Sequence, residues 1–231
     1  MANKHKKGKN RSLSTITMIT VLVFFIGFGV VAVYQSVTNK QNEQAESART
    51  YDIDYTGQPR IGSPDAPVKI MEFADFKCPV CKEFEETVYP QLKRDYIDTG
   101  KVQMYFTNYQ FIAEDSVTAG MAGESVYKQN PDAFWKFYES VLRNQKDEAT
   151  VWATPEFLLQ LIKKDIPEVD AEKVKQDLEK KTYLQEVMAD YKKAESLMIS
   201  SVPTIIINGK KVENPLDYQA IKQLIEQELN K

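Results

Sequence analysis

Val68-Lys69-Ile70-Met71-Glu72-Phe73-Ala74-Asp75-Phe76-Lys77-Cys78-Pro79-Val80-Cys81-Lys82-Glu83-Phe84-Glu85-Glu86 is the stretch on which the reading of this chain turns. Its first six residues are compact, mostly apolar and rich in strand formers, so they predict a strand. After Cys81, the apolar residues Phe84, Val88 and Leu92 recur at intervals of three and four. Lys82, Glu83, Glu85 and Glu86 fill the other face, as an amphipathic helix requires. Pro79 suits the first helical turn, where a missing N–H costs nothing. Pro90 falls inside the same pattern and predicts a kink or a break. The two cysteines therefore sit where a strand ends and a helix begins.

That position has chemical content. Cys78 lies at the positive end of the helix, near backbone N–H groups without helical partners, and both favour its thiolate. Cys81 is one turn in, on the apolar face, and is less accessible. These are the chain's only two cysteines, and its one histidine, His5, lies in a polar N-terminal stretch. A Ser-His-Asp triad or a Cys-His dyad would need that histidine. A structural zinc site wants about four Cys or His ligands. A disulfide-knit small scaffold needs more than one bridge. A reversible dithiol/disulfide pair fits best, beside the plainer readings of a static disulfide or half a metal site.

A second passage bears on the same chemistry. Ser201-Val202-Pro203-Thr204 precedes the apolar run Ile205-Ile206-Ile207, and Asn208-Gly209 then predicts a tight hairpin turn into Lys210-Lys211-Val212. Taken alone, Pro203 is a plain strand-start proline. A last amphipathic helix is expected after Asp217, with Tyr218, Ile221, Leu224, Ile225 and Leu229 on its buried stripe. Lys101 to Tyr109 reads as another strand, giving a βαβ start. From about 113 to 197 the patterning is helical throughout. Phe134, Phe137, Tyr138, Val141 and Leu142 form one stripe, and Phe157, Leu158, Leu161 and Ile162 another after Thr154-Pro155. Val174, Leu178, Val187, Met188 and Tyr191 predict one long helix after Asp170. These stripes read as core rather than as a cofactor box.

The chain has 231 residues, of which 42% are hydrophobic and 27% charged, enough for a sizeable core. Residues 1–11 carry five basic side chains and no acid, and removing them from the net charge of −3 leaves −8 for the rest. A net-negative body argues against nucleic-acid binding. From Ser12 to Asn39 no residue is charged, and Ile16 to Tyr34 spans roughly 30 Å as a helix, about a bilayer core. The basic tip on its N-terminal side predicts a single-pass membrane anchor over 12–36, with the N-terminus cytoplasmic and the body outside. A cleaved signal peptide is the rival reading, although the small-residue pattern Val30-Val31-Ala32 falls inside the apolar run. Residues 37–57 are polar and read as a tether. The domain is expected from Gln58 to the C-terminus.

Ala66-Pro67-Val68-Lys69-Ile70-Met71-Glu72-Phe73, the Cys78-Pro79-Val80-Cys81 site with Phe84-Glu85-Glu86 after it, and Val202-Pro203-Thr204 ahead of Asn208-Gly209-Lys210 occur in an order and spacing that resemble the DsbA-like thiol–disulfide oxidoreductases, most nearly those of the membrane-anchored BdbD type. The resemblance covers roughly Gln58 to the C-terminus. It implies an α/β, thioredoxin-like fold interrupted by a helical insertion at about 113–197. It implies a cis Pro203 facing the cysteines, which exposes the Val202 backbone, with Thr204 beyond it, as an edge for an extended substrate. It matches Glu72 to the family's buried acid, whose task is to move a proton to or from Cys81; an exposed strand-end Glu is the plain alternative. It implies no cofactor beyond a redox-active Cys78–Cys81 disulfide. As partners it implies exported proteins with reduced cysteines and a quinone-linked membrane thiol oxidase.

One departure matters. The best-known relatives carry histidine between the proline and the second cysteine, where this chain has Val80, so the helix terminus must do more to stabilise the thiolate. The expectation is a Cys78 pKa below the free-thiol value of about 8.5. A reductase or isomerase would use the same pair with a different redox poise, and an anchored binding domain would hold it as an inert disulfide. Glu114 and Asp115 could offer a structural cation carboxylates, or serve as a helix start.

Overall fold

The computed structural model describes residues 49–231 continuously, and before them only 33–38 and the single positions Met18, Phe28 and Val31, all helical. The segment 33–38 is taken as helix α1. The basic tip expected over 1–11, most of the anchor expected over 12–36 and the tether residues 39–48 lie outside the described residues. Among the described residues no helix is long and apolar enough to cross a membrane.

Among the described residues five strands form one sheet in the order β1 (Arg60–Ile61), β3 (Val102–Asn108), β2 (Val68–Ala74), β4 (Thr204–Ile207) and β5 (Lys210–Lys211). β2 and β3 are parallel, in register from Val68↔Val102 to Ala74↔Asn108. A parallel pair cannot be joined by a hairpin. The crossover consists of α2 (Pro79–Thr87), α3 (Tyr89–Leu92) and a π-turn over Lys93–Ile97. The break between α2 and α3 falls just before Pro90, as that proline requires. β4 runs antiparallel to β2, pairing Phe73 with Thr204 and Ile70 with Ile207. Thr204 thus stands beside the end of β2 that leads to Cys78. At the other end Asn208 and Gly209 turn the chain with φ of 45° and 83°, the left-handed pair that a two-residue hairpin uses.

Side chains alternate across the sheet. Val68, Ile70 and Ala74 join Met104, Phe106, Ile205 and Ile207 in the larger core, while Met71, Phe73, Tyr105 and Ile206 face a smaller one. Glu72 shares the face of Ile70 and Ala74 and is wholly buried. Between β3 and β4 the chain forms α4 (Glu114–Gln129), α5 (Ala133–Arg143), α6 (Pro155–Asp165), α7 (Ala171–Glu179) and α8 (Leu184–Ser196). Thr154 caps α6 by accepting the Phe157 N–H, and Asp170 caps α7 by accepting those of Glu172 and Lys173. The α5 stripe is fully enclosed: Phe134, Phe137, Tyr138, Val141 and Leu142 are all buried. α9 (Tyr218–Leu229) closes the domain, with Asp217 as its cap.

Two expectations are corrected. The single long helix after Asp170 is two helices, α7 and α8, separated at Lys181, whose φ is 52°. The Thr182 N–H donates to the Asp177 carbonyl across the joint, a break that no glycine or proline announces. Residues 49–57, expected as the end of the tether over 37–57, belong instead to the folded body. Tyr51 is buried and donates its N–H to the Gly209 carbonyl at 2.7 Å. Thr50 bridges to Lys210, and Ile53 and Tyr55 pack on the smaller core. Sparse apolar residues in a polar stretch look like linker until a sheet edge is there to receive them.

Candidate active site

Cys78 is the N-cap of α2, with φ −70° and ψ 120° and Pro79 immediately inside the helix. Its side chain makes no cap hydrogen bond, but the backbone N–H groups of Val80 and Cys81 in the first turn act on its sulfur. The loop before it is held from several sides. The buried Asp75 carboxylate accepts the N–H of Lys77 at 2.8 Å, of Phe111 at 2.9 Å and of Ile112 at 3.0 Å. Gln110 accepts the Phe76 N–H at 3.1 Å. Gln145 donates to the carbonyls of Phe76 and Cys78 at 2.9 and 3.0 Å. Lys77 buries its ammonium, which donates to Asp115 at 2.6 Å and to the Thr150 carbonyl at 2.7 Å.

Both cysteines are free thiols. Cys78 is 6% exposed and Cys81 0%, while Val80 between them is 39% exposed. Both sulfurs are thus buried, Cys81 completely and Cys78 nearly so. Across from Cys78, the Val202–Pro203 peptide bond is cis, and the Cys78 thiol donates to the Val202 carbonyl at 3.5 Å. Thr204 is buried and donates its hydroxyl to the Ser201 carbonyl at 2.8 Å. The structure therefore brings Cys78, Pro79, Val80, Cys81, Val202, Pro203 and Thr204 to one place. Glu72 lies beneath them.

The electrostatics divide the two sulfurs. Cys78 is pulled down to about 7, first by the Cys81 thiol donating to it, against burial, with backbone N–H groups of Cys81 and Val80 adding to the effect and Asp75 opposing it. The helix terminus contributes as expected, but the neighbouring thiol contributes more. Burial, and then Cys78 itself, push Cys81 well above the usual thiol range. Glu72 is pushed up to about 8, chiefly by burial; its hydrogen bond from Tyr138 works the other way, and Glu85 and Cys78 add to the rise. The plain alternative of an exposed strand-end glutamate is excluded by this burial.

Asp115 does not stand free for a cation. One oxygen takes Lys77, and the other accepts the N–H groups of Trp152 and Ala153 at 2.9 and 3.0 Å. Although burial opposes it, these donors hold its carboxyl below the usual value. Glu114 beside it is exposed. Among the described residues no group of three or more His, Cys, Asp or Glu could hold a metal ion. Two buried acids, Glu124 and Asp190, do approach one another across Asn108, whose amide donates to both, far along the chain from the cysteines.

The model of the family described as Thioredoxin matches residues 54–227. The disulfide bond formation protein D of Bacillus subtilis is 38% identical over 191 residues, covering 83% of this chain and 86% of that one. A probable disulfide bond formation protein D from Bacillus cereus is 38% identical over 223 residues, covering 96% of this chain and all of its own. The chain belongs to the disulfide bond formation protein D family of thioredoxins. Solved structures agree with this: oxidised BdbD from Bacillus subtilis superposes with a TM-score of 0.77 at 37% identity, over 80% of this chain and 100% of that one. Chlamydia trachomatis DsbA does so with 0.70 at 25% identity, over 77% and 94%. Family, fold and the paired sulfurs make this thioredoxin-like chain a protein thiol–disulfide oxidoreductase.

Within that family frame, sequence reading missed the residues that hold the active-site loop. Asp75, Lys77, Gln110 and Gln145 are polar, and nothing in their spacing marks them as buried. Lys77 looks like an ordinary solvated lysine until Asp115, 38 positions on, is seen beside it. Tyr138 was legible as core, but not as the partner of Glu72, 66 positions away.

Proposed function

We propose that this thiol–disulfide oxidase works on the outer side of the cell membrane, introducing disulfides into exported proteins through Cys78 and Cys81. The observation that carries the proposal is the contrast within the pair. Cys78, at a helix N-terminus opposite the Val202 carbonyl, is a stabilised thiolate and a good leaving group, whereas Cys81 is closed off and holds its proton.

In the oxidised form a substrate thiolate attacks the Cys78 sulfur. The Cys78–Cys81 bond breaks, a mixed disulfide forms, and Cys81 departs and takes a proton. Glu72, neutral over most of the physiological range because burial raises it, supplies that proton. A second substrate thiolate then attacks the substrate sulfur of the mixed disulfide, and Cys78 leaves as its thiolate. Two electrons have passed from two substrate thiols to the pair. Stabilising that thiolate favours the reduced enzyme and so makes the oxidised one the stronger oxidant. The Val202 backbone offers an extended substrate an edge to lie against. Reoxidation returns the electrons to a quinone-linked membrane thiol oxidase, and the uncharged run over 12–36 anchors the domain near it, with the N-terminus in the cytoplasm. That placement rests on hydropathy and the basic tip.

The test is trapping in cells. Cys81→Ala is expected to accumulate mixed disulfides with exported proteins at Cys78, and Cys78→Ser to accumulate none. An unchanged thiol state of exported proteins in the Cys78→Ser strain rules out the oxidase reading. Protease added to intact protoplasts is expected to cut the domain; full protection places it inside and removes the location.

A further inference from the structure

Glu72 sits between Phe106 on β3 and Ile205 on β4, both apolar. The titratable groups facing it come from the helices above: Cys78, Cys81 and Glu85 at α2, Tyr89 on α3 and Tyr138 on α5. Among the described residues Tyr138 is the one that bonds to it, its hydroxyl donating to Oε1 at 3.1 Å. The other oxygen, Oε2, is buried and has no protein partner. Tyr138 is itself fully buried, and its ring meets those of Tyr89, Phe106 and Trp135 edge-on at 5.7, 5.7 and 5.3 Å. A ring clamped on three sides presents its hydroxyl in one place.

A neutral carboxyl group has one O–H donor and one carbonyl acceptor. Burial keeps the Tyr138 hydroxyl protonated, and in the bond to Glu72 its hydrogen is directed at Oε1, so it is the donor. The oxygen it meets is the carbonyl oxygen of the neutral acid, and the acid's own proton rests on the other one. We propose that Tyr138, carried by the inserted helix α5, is a positioning residue for disulfide exchange: by holding Glu72 Oε1 it keeps the transferable proton on Oε2, the oxygen that no other protein group holds. This rests on the reading of Glu72 as the proton partner of Cys81. When Cys81 leaves, the Oε2–H bond breaks, an S–H bond forms at Cys81, and Glu72 becomes a carboxylate that Tyr138 continues to hold. On reoxidation the proton returns to Oε2 as the Cys81 thiolate attacks. The inserted helices thereby take part in the chemistry of a site whose sulfurs lie on the thioredoxin-like core.

Tyr138→Phe keeps the ring and removes only the hydroxyl. The measurement is the pH dependence of ring closure by Cys81 when the reduced full-length protein is mixed with oxidised glutathione, followed by tryptophan fluorescence. Losing a hydrogen bond to the carboxylate moves the Glu72 inflection upward by about one pH unit, which slows closure at neutral pH by about tenfold. The titration of Cys78 stays where it was. In a Glu72→Gln background the same substitution has no further effect, because the hydroxyl then has no titrating partner. A Tyr138→Phe profile identical to the parent's, with Glu72→Gln still altering it, overturns the proposal and leaves Glu72 in its role. A shift that persists in the Glu72→Gln background assigns Tyr138 to packing and also overturns it. A profile unmoved by Glu72→Gln removes Glu72 from the proton path, and the role of Tyr138 with it.

Discussion

Glu72→Gln should make the stability of the reduced protein less sensitive to alkali, by an amount the site itself sets. The carboxyl goes from its ordinary value of 4.5 in the unfolded chain to about 8 when folded, mainly through burial. A folded-state pKa raised for an acid means that the native state binds the proton more tightly. Its contribution is therefore intact below 4.5 and drains away as pH rises toward 8, after which it levels off. At about 1.4 kcal/mol per pH unit, wild type loses about 3 kcal/mol by pH 7 and about 5 kcal/mol beyond pH 8 from this one group. Glutamine has nearly the same shape, keeps an oxygen for the Tyr138 hydroxyl, and does not titrate. Whatever fixed cost its amide brings is the same at every pH. The assay is urea unfolding of the reduced protein, followed by Trp135 and Trp152 fluorescence, across the range from mildly acidic to mildly alkaline. Glu124, pushed up to about 7 by burial, adds a slope of the same sign to both proteins and cancels in the difference. A difference between variant and wild type that stays flat over that range refutes the burial argument for Glu72.

Three further outcomes follow from the same structure. Thiolate absorbance should show Cys78 half-ionised near pH 7 and Cys81 silent well above it; a Cys78 midpoint at or above the free-thiol value of about 8.5 contradicts the leaving-group argument. Asp115→Asn leaves the Lys77 ammonium, 1% exposed, without its anion, and should cost about 3–5 kcal/mol in denaturant unfolding; a loss under about 1 kcal/mol means the lysine finds water. Gly209→Ala forces a side chain into a φ of +83° and sets its Cβ 2.8 Å from the Tyr51 carbonyl. Faster proteolytic cutting within residues 49–57 and a loss of about 1–3 kcal/mol are expected; unchanged cutting means that the docking of residues 49–57 does not depend on this close approach.

The chemistry-bearing elements were legible because their signals are local. The strand into Cys78, the helix out of it, the Asn208–Gly209 turn and the capped starts of α6, α7 and α9 each depend on residues within a few positions, and periodicity and caps report such contacts directly. That Cys81 is the more deeply buried of the two sulfurs was likewise readable from one helical turn. What remained hidden needed partners distant in sequence. The break at Lys181 depends on how α7 and α8 each pack against α4, and the fate of residues 49–57 depends on β5 offering an edge. The clamps of Asp75, Lys77 and Gln145 join an active-site loop to segments dozens of positions later. Glu72 shows the division most plainly. Its place in a strand ahead of the cysteines is written in the chain, but its acidity is not, because that follows from how completely the neighbouring elements exclude water and from the one hydroxyl that α5 brings to it.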